Sequence, residues 1–108
     1  MAVKIVMLKT GQQVITDLKE IREPTEDGST GDLIGLVMVT PLVLGVGEYV
    51  EETKQYSIAF ERIMPFSKDW QFKVSLNDIT LIGDPLDAVK EKYIEQIYPE
   101  GIPEETEE

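Results

Sequence analysis

The chain contains no cysteine and no histidine. These two absences remove more functional classes than any motif that is present adds. Without cysteine there are no disulfides and no thiolate ligands. Without histidine as well, a metal would find only oxygen ligands, and a structural zinc site is not expected. Ser-His-Asp, Cys-His and histidine acid/base mechanisms also fall away, which leaves carboxylates, Lys, Tyr and Ser/Thr as the reactive groups. No apolar run approaches the roughly 20 residues that span a bilayer. Met1-Ala2-Val3 leads into a strand pattern with no basic region or apolar signal segment before it. The expectation is a non-enzymatic, cytoplasmic protein with no cofactor and no membrane partner.

Basic residues are scarce: ten Lys and Arg stand against 21 Asp and Glu, a net charge of −11. Such a surface repels phosphate on average, so nucleic-acid binding has to come from a local patch. Five acids, Glu100, Glu104, Glu105, Glu107 and Glu108, lie beyond Pro99, and residues 99–108 read as a disordered acidic tail. A hydrophobic content of 42% in 108 residues allows one domain with a core, placed at 1–98.

The order of elements follows from periodicity. In VKIVML, Val3, Ile5 and Met7 oppose Lys4, Val6 and Leu8, so both faces are largely apolar, as in a strand enclosed by a barrel or an interface. Gly11 supplies the positive φ of a tight turn, and Val14, Ile15, Leu18 and Ile21 continue a second strand. Arg22 to Asp32 is dense in turn formers and acids and reads as an exposed loop or hairpin tip. Leu33 to Leu44 is the most apolar segment. Its β-branched content and central Thr40-Pro41 predict a bent strand, with Pro41 at an edge or a bulge and Gly45 and Gly47 ending it. Gln55 to Met64 is a further strand, closed by Met64-Pro65-Phe66-Ser67. Phe72, Val74 and Leu76 alternate, but Ile79 and Leu81 follow with shifted parity, which predicts a bulge or tight turn at Asn77-Asp78. Asp84 as N-cap and Pro85 at the first position predict an amphipathic helix over about 85–98, with Leu86, Val89, Tyr93 and Ile97 on one face. Successive strands followed by one helix, without βαβ alternation, predict a mainly β antiparallel fold.

The Leu8-Lys9-Thr10-Gly11 turn, the Pro41-Leu42 strand, Met64-Pro65-Phe66-Ser67, the ending VSLNDITLI and the Asp84-Pro85 helix start occur in an order that resembles the Sm-like (LSm) family. The likeness covers most of residues 3–98 and is closest to small Sm-like proteins of phage and marine microbial origin. It implies a small, strongly bent antiparallel β-barrel whose edge strands pair between subunits to close a homo-oligomeric ring that binds RNA or single-stranded DNA. Three departures stand out. The Asp and Met-Asn signature around the second turn is absent, with Val39-Thr40-Pro41 in the third strand. Asn77-Asp78 replaces the Arg-Gly that supports the base pocket. The helix follows the barrel instead of preceding it.

From the resemblance, Asn77, Asp78 and Thr40 occupy pocket positions, and an amide with a carboxylate can bond base edges. Asn-Asp is also ordinary turn chemistry, and Thr40 an ordinary β-former before proline. Tyr56, Phe60, Arg62, Phe66 and Trp70 offer stacking surfaces, with Lys68 and Lys73 as phosphate contacts. The same aromatics suit core packing or a subunit interface, for which Tyr56, Ile58, Phe60, Ile79 and Leu81 are the candidates. Lys4, Lys9 and Lys19 read as a solvated hairpin face. Glu26 to Asp32 lacks the ligand pattern of a Ca²⁺ loop, and no metal or catalytic residue is assigned. Two functions remain open: a ring that binds single-stranded nucleic acid in RNA or DNA processing, and a structural or adaptor ring without nucleic acid, favoured by the acidity. A carboxylate-based metal enzyme is a minor third.

Overall fold

The computed structural model describes residues 1–99, so the acidic tail expected at 99–108 lies outside the described residues apart from Pro99. The architecture is mainly β, a strongly curled antiparallel half-barrel with one helix near its C-terminal end. Six strands run in chain order: β1 (Val3–Leu8), β2 (Gln13–Arg22), β3 (Leu33–Val50), β4 (Gln55–Arg62), β5 (Gln71–Val74) and β6 (Ile79–Gly83), followed by α1 (Asp87–Ile97). They form one sheet in the order β4-β3-β2-β1-β6, with β5 paired to β3 off that path.

β3 is the axis of the sheet. Its first half pairs with β5 at Leu36 to Val39, and its second half pairs with β4 at Leu42 to Val50. Between them lies the bend expected at Thr40-Pro41. Along β2, Ile15 faces Leu42 but Asp17 faces Val39, so Thr40 and Pro41 together oppose the single residue Thr16. This is a β-bulge, and it carries the proline where no ladder donor is needed. A bulge reverses side-chain parity. Before it, Leu36 and Met38 share a face with Leu18 and Glu20; after it, Leu42 and Leu44 turn to the face of Ile15. The unbroken apolar run of β3 therefore feeds two layers. One layer holds Val3, Ile15, Leu42 and Tyr93, with Ile5, Leu44, Phe60, Val89, Ile94 and Ile97 against it. Val6, Val14, Leu36 and Met38 are buried on the opposite face. β1 is buried on both sides for the same reason, as its two apolar faces predict.

The bend is held at a backbone conformation that its residue disfavours. Thr40 has φ +52°, the left-handed region that a β-branched residue rarely adopts and that costs roughly 1–3 kcal/mol. Three hydrogen bonds fix it. The Thr40 N–H donates to the Trp70 carbonyl at 2.6 Å. The Tyr93 hydroxyl, fully buried, donates to the Thr40 carbonyl at 2.7 Å. Thr16, also fully buried, places its hydroxyl 3.0 Å from the Val39 carbonyl. Every buried side-chain polar atom among the described residues has a partner, as low-dielectric burial requires.

Three boundaries differ from the sequence reading. Gly45 and Gly47 do not end β3, which continues to Val50 through a second bulge between Val46 and Tyr49. Gly47 is placed there because a Cβ would collide with the Ser57 Oγ of β4, and pairing with β4 carries the strand past both glycines. The helix begins at Asp87, not at Pro85. Asp84 does not cap it, because its carboxylate instead pairs with Lys4 Nζ at 2.6 Å, and that lysine holds the exposed carboxyl below its ordinary value. Leu86 takes the N-cap position in an extended conformation (ψ 148°) with no side-chain cap; it stays largely exposed, beside Val89 at the open groove, and does not enter the core with Tyr93. Leu76 leaves β5: Ser75 accepts from the Asn77 N–H and caps a single 3-10 turn over Leu76–Asp78. That turn is the parity repair expected at Asn77-Asp78.

Burial raises the Tyr93 phenol above its ordinary value of 10.0. In the fold it keeps its proton at pH values where the unfolded chain loses it. Stability is therefore full below about pH 10 and declines as pH rises beyond it. Tyr93→Phe leaves the Thr40 carbonyl without this donor and is expected to lower the unfolding free energy by about 1–3 kcal/mol in a denaturant titration. The variant also loses the tyrosine's share of the alkaline decline. Unchanged stability in Tyr93→Phe would show that the tether does not hold the bend.

Candidate functional site

The candidate residues fall in three places. The first is a cavity of about 430 Å³ where the bend of β3 meets the end of β4 and the last turn of α1. Thr40, Leu42, Phe60, Arg62, Trp70 and Gln96 line it. Leu42 and Arg62 are cross-strand partners, so the strand ladder points Arg62 toward the helix side of the sheet. From there its guanidinium lies over the Trp70 ring, 4.0 Å from the centroid, in a cation–π arrangement. Its Nη2 donates to the Ser67 carbonyl at 2.7 Å and to the Asp69 carbonyl at 3.2 Å. Arg62 thus fastens the loop between β4 and β5 to the sheet. Thr40 serves the bend.

The second place is that loop and the groove beside it. The Ser67 N–H donates to the Met64 carbonyl at 3.0 Å, closing a turn, and the Ser67 Oγ accepts from the Asp69 N–H at 3.1 Å. With Arg62 added, five of the loop's backbone groups between residues 64 and 69 are bonded within the loop or to the arginine. The loop nevertheless holds Phe66 fully in solvent, at 103% relative exposure, and leaves Met64 half exposed. Beside it, a groove of about 270 Å³ is lined by Lys9, Thr10, Met64, Phe72, Lys73 and Asp78, among others. The Lys9 N–H donates to the Asp78 carbonyl at 2.8 Å, which joins the first hairpin turn to the 3-10 turn before β6. Lys73 and Asp78 therefore come together here, accompanied by Lys9. Lys68 is exposed on the adjoining loop, and Asn77 is exposed in the 3-10 turn without lining the groove.

The third place is the open side of the half-barrel. β4 and β6 end the strand order, each paired on one side only. An apolar groove of about 690 Å³ lies between them, with Met7, Leu44, Ile58, Leu81, Ile82 and Leu86 in its lining. Leu81 is 61% exposed. Of the other interface candidates, Ile79 is half-buried in β6, and Phe60 packs against the helix-side core. Tyr56 stands further along the β3-β4 hairpin, its ring 5.2 Å from that of Tyr49 in an edge-to-face pair. Both rings are more than half exposed.

The sequence reading linked Asn77, Asp78, Thr40, Arg62, Lys68 and Lys73 as one set, and the fold divides them. Lys9 was assigned to a solvated face, and only the long-range bond from the first hairpin turn to Asp78 brings it to the groove. No local pattern in the sequence carries that information. Among the described residues no acidic cluster has the arrangement of a metal site, and no helix is long and apolar enough to cross a membrane. Because Arg62 anchors the loop, Arg62→Ala is expected to speed amide hydrogen exchange at residues 67–70 by about tenfold or more, on the scale of losing charge-assisted bonds. Exchange in β1 and β2 is expected to stay unchanged. Equal protection of the loop in the variant would remove the arginine's anchoring role. Neither a scan against protein-family models nor a search of curated proteins finds a match to this chain.

Proposed function

We propose that this chain is an Sm-like module whose subunits join edge to edge into a homo-oligomeric ring, and that the ring binds RNA or single-stranded DNA. The observation that carries the reading is the pair of half-paired strands, β4 and β6, at the two ends of one curled sheet. Bare edges invite pairing, and nothing on β6 blunts its edge: ITLIG carries no charge and no proline, and Leu81 and Ile82 are exposed. Joining β4 of one copy to β6 of the next is a head-to-tail contact, which closes into a ring when the rotation between copies permits. The apolar groove along that opening supplies surface to bury at the joint.

Nucleic acid as ligand is supported by the family resemblance, by the exposed aromatics Phe66 and Trp70, and by lysines near them. A net charge of −11 works against it, so each subunit's contact is weak and the ring binds by multivalency. The same charge favours the second reading, an adaptor ring that binds protein.

Native mass spectrometry at micromolar concentration is expected to give a single multiple of the chain mass, and Leu81→Asp to shift it toward monomer. A strict monomer for the unaltered chain would sink the ring. Fluorescence anisotropy with labelled single-stranded oligonucleotides is expected to show binding that weakens with salt. A ring that binds none of them at low ionic strength would transfer the assignment to the adaptor.

A further inference from the structure

We infer that the single strand binds at the β4-β5 loop and its adjoining groove, with Phe66 as a stacking platform, Lys9, Lys68 and Lys73 on phosphates, and Asp78 accepting from a base N–H. The inference rests on the nucleic-acid reading above; of the positions that the family resemblance points to it keeps Asp78 and leaves out Thr40, and it centres the site on the β4-β5 loop.

Phe66 is the starting point. A phenyl ring wholly in water gains nothing from burial and contributes nothing to the fold. A flexible loop could fold such a ring inward, but this loop is fastened by the Met64-Ser67 turn, the Ser67 side chain and the Arg62 guanidinium. The ring is thus held outward by structure, and holding it there beforehand removes the ordering cost of binding. A base has a π-face of matching size, and stacking tolerates any base sequence.

Charge selects the kind of partner. Lys4 and Arg22 are tied up in ion pairs with Asp84 and Glu20, and Arg62 is committed to its own loop. Lys9, Lys68 and Lys73 form no ion pair among the described residues, as is true of Lys19, Lys54, Lys90 and Lys92 as well, so position and not pairing singles them out. Two of them line one groove and the third sits on its rim loop, so cationic charge is available beside the aromatic platform in a chain that is otherwise strongly acidic. An acidic protein surface would be attracted by the same lysines, but it would not need the outward ring. Asp78 lies in the groove as well. A carboxylate there repels phosphate and accepts hydrogen bonds from base N–H groups, the exocyclic amino groups of cytosine, adenine and guanine and the N3–H of uracil or thymine alike, so it orients a base without selecting one.

The test uses the full chain and fluorescein-labelled 12-mers of dC and dT in anisotropy titrations across a salt series, with each variant's oligomeric mass checked first. Phe66→Ala is expected to weaken binding about fivefold or more. Lys68→Gln and Lys73→Gln are each expected to reduce the slope of log affinity against log salt by about 0.7. Asp78→Ala is expected to weaken binding of dC and dT alike. Lys90→Gln, exposed on α1, serves as the control and is expected to leave affinity and salt slope as they were. If the unaltered chain binds neither oligonucleotide, the nucleic-acid reading itself fails. If it binds while Phe66→Ala and both lysine variants match it at equal mass, the ligand lies elsewhere and this inference alone is overturned. Binding that responds to the lysine variants but not to Phe66→Ala would remove the stacking platform and overturn the inference as stated.

Discussion

One residue too many between Val39 and Leu42 determines most of this molecule. Without the bulge at Thr40-Pro41, β3 would send Leu36, Met38, Leu42 and Leu44 to a single face, and the other layer would lose its central strand. With it, an 18-residue strand bends, changes partner from β5 to β4, and contributes to both sides of the sheet. The strained φ of Thr40 is the local cost. It persists because Tyr93 from the helix, Thr16 from β2 and the Trp70 carbonyl from the β4-β5 loop all converge on the bend. Three elements far apart in sequence are thereby located relative to one another, and α1 is anchored through its one fully buried side chain. The helix therefore belongs to the bend as much as to the core.

The succession of strands along the chain and the position of the bend could be read from residue pattern alone, since alternation, β-branching and a proline in an apolar run are local signals. The parity slip at Asn77-Asp78 was legible for the same reason. What could not be read was competition between distant partners. Asp84 has every local property of an N-cap, but Lys4 lies across the sheet from it and wins. Two glycines in three residues suggest an end to β3, yet the close approach of Ser57 explains Gly47 and pairing with β4 overrides both. Arg62 has the chemistry of a phosphate ligand, and only the fold reveals the two carbonyls it already serves. In each case the residue type was informative about what it could bind and silent about what would be nearby.

Acidity and assembly bear on each other. A charge of −11 in 108 residues keeps copies apart at long range, so association has to come from short-range burial and strand pairing. Leu81 and Ile82 are exposed on β6, and the groove between β6 and β4 is largely apolar, so the open edge carries little of the charge behind that repulsion. In the proposed ring, added salt would screen the repulsion and leave the apolar joint intact, while it would weaken phosphate contacts, so that salt would act in opposite directions on the assembly and on a nucleic-acid ligand.

Trp70 is the chain's sole tryptophan. Its ring lies beneath Arg62, its carbonyl holds the bend, and its chain segment closes the β4-β5 loop. The tryptophan emission of the protein therefore originates at one spot, where the guanidinium, the bend of β3 and the loop that carries Phe66 meet. Its emission is a built-in optical reporter of whether those three parts move together.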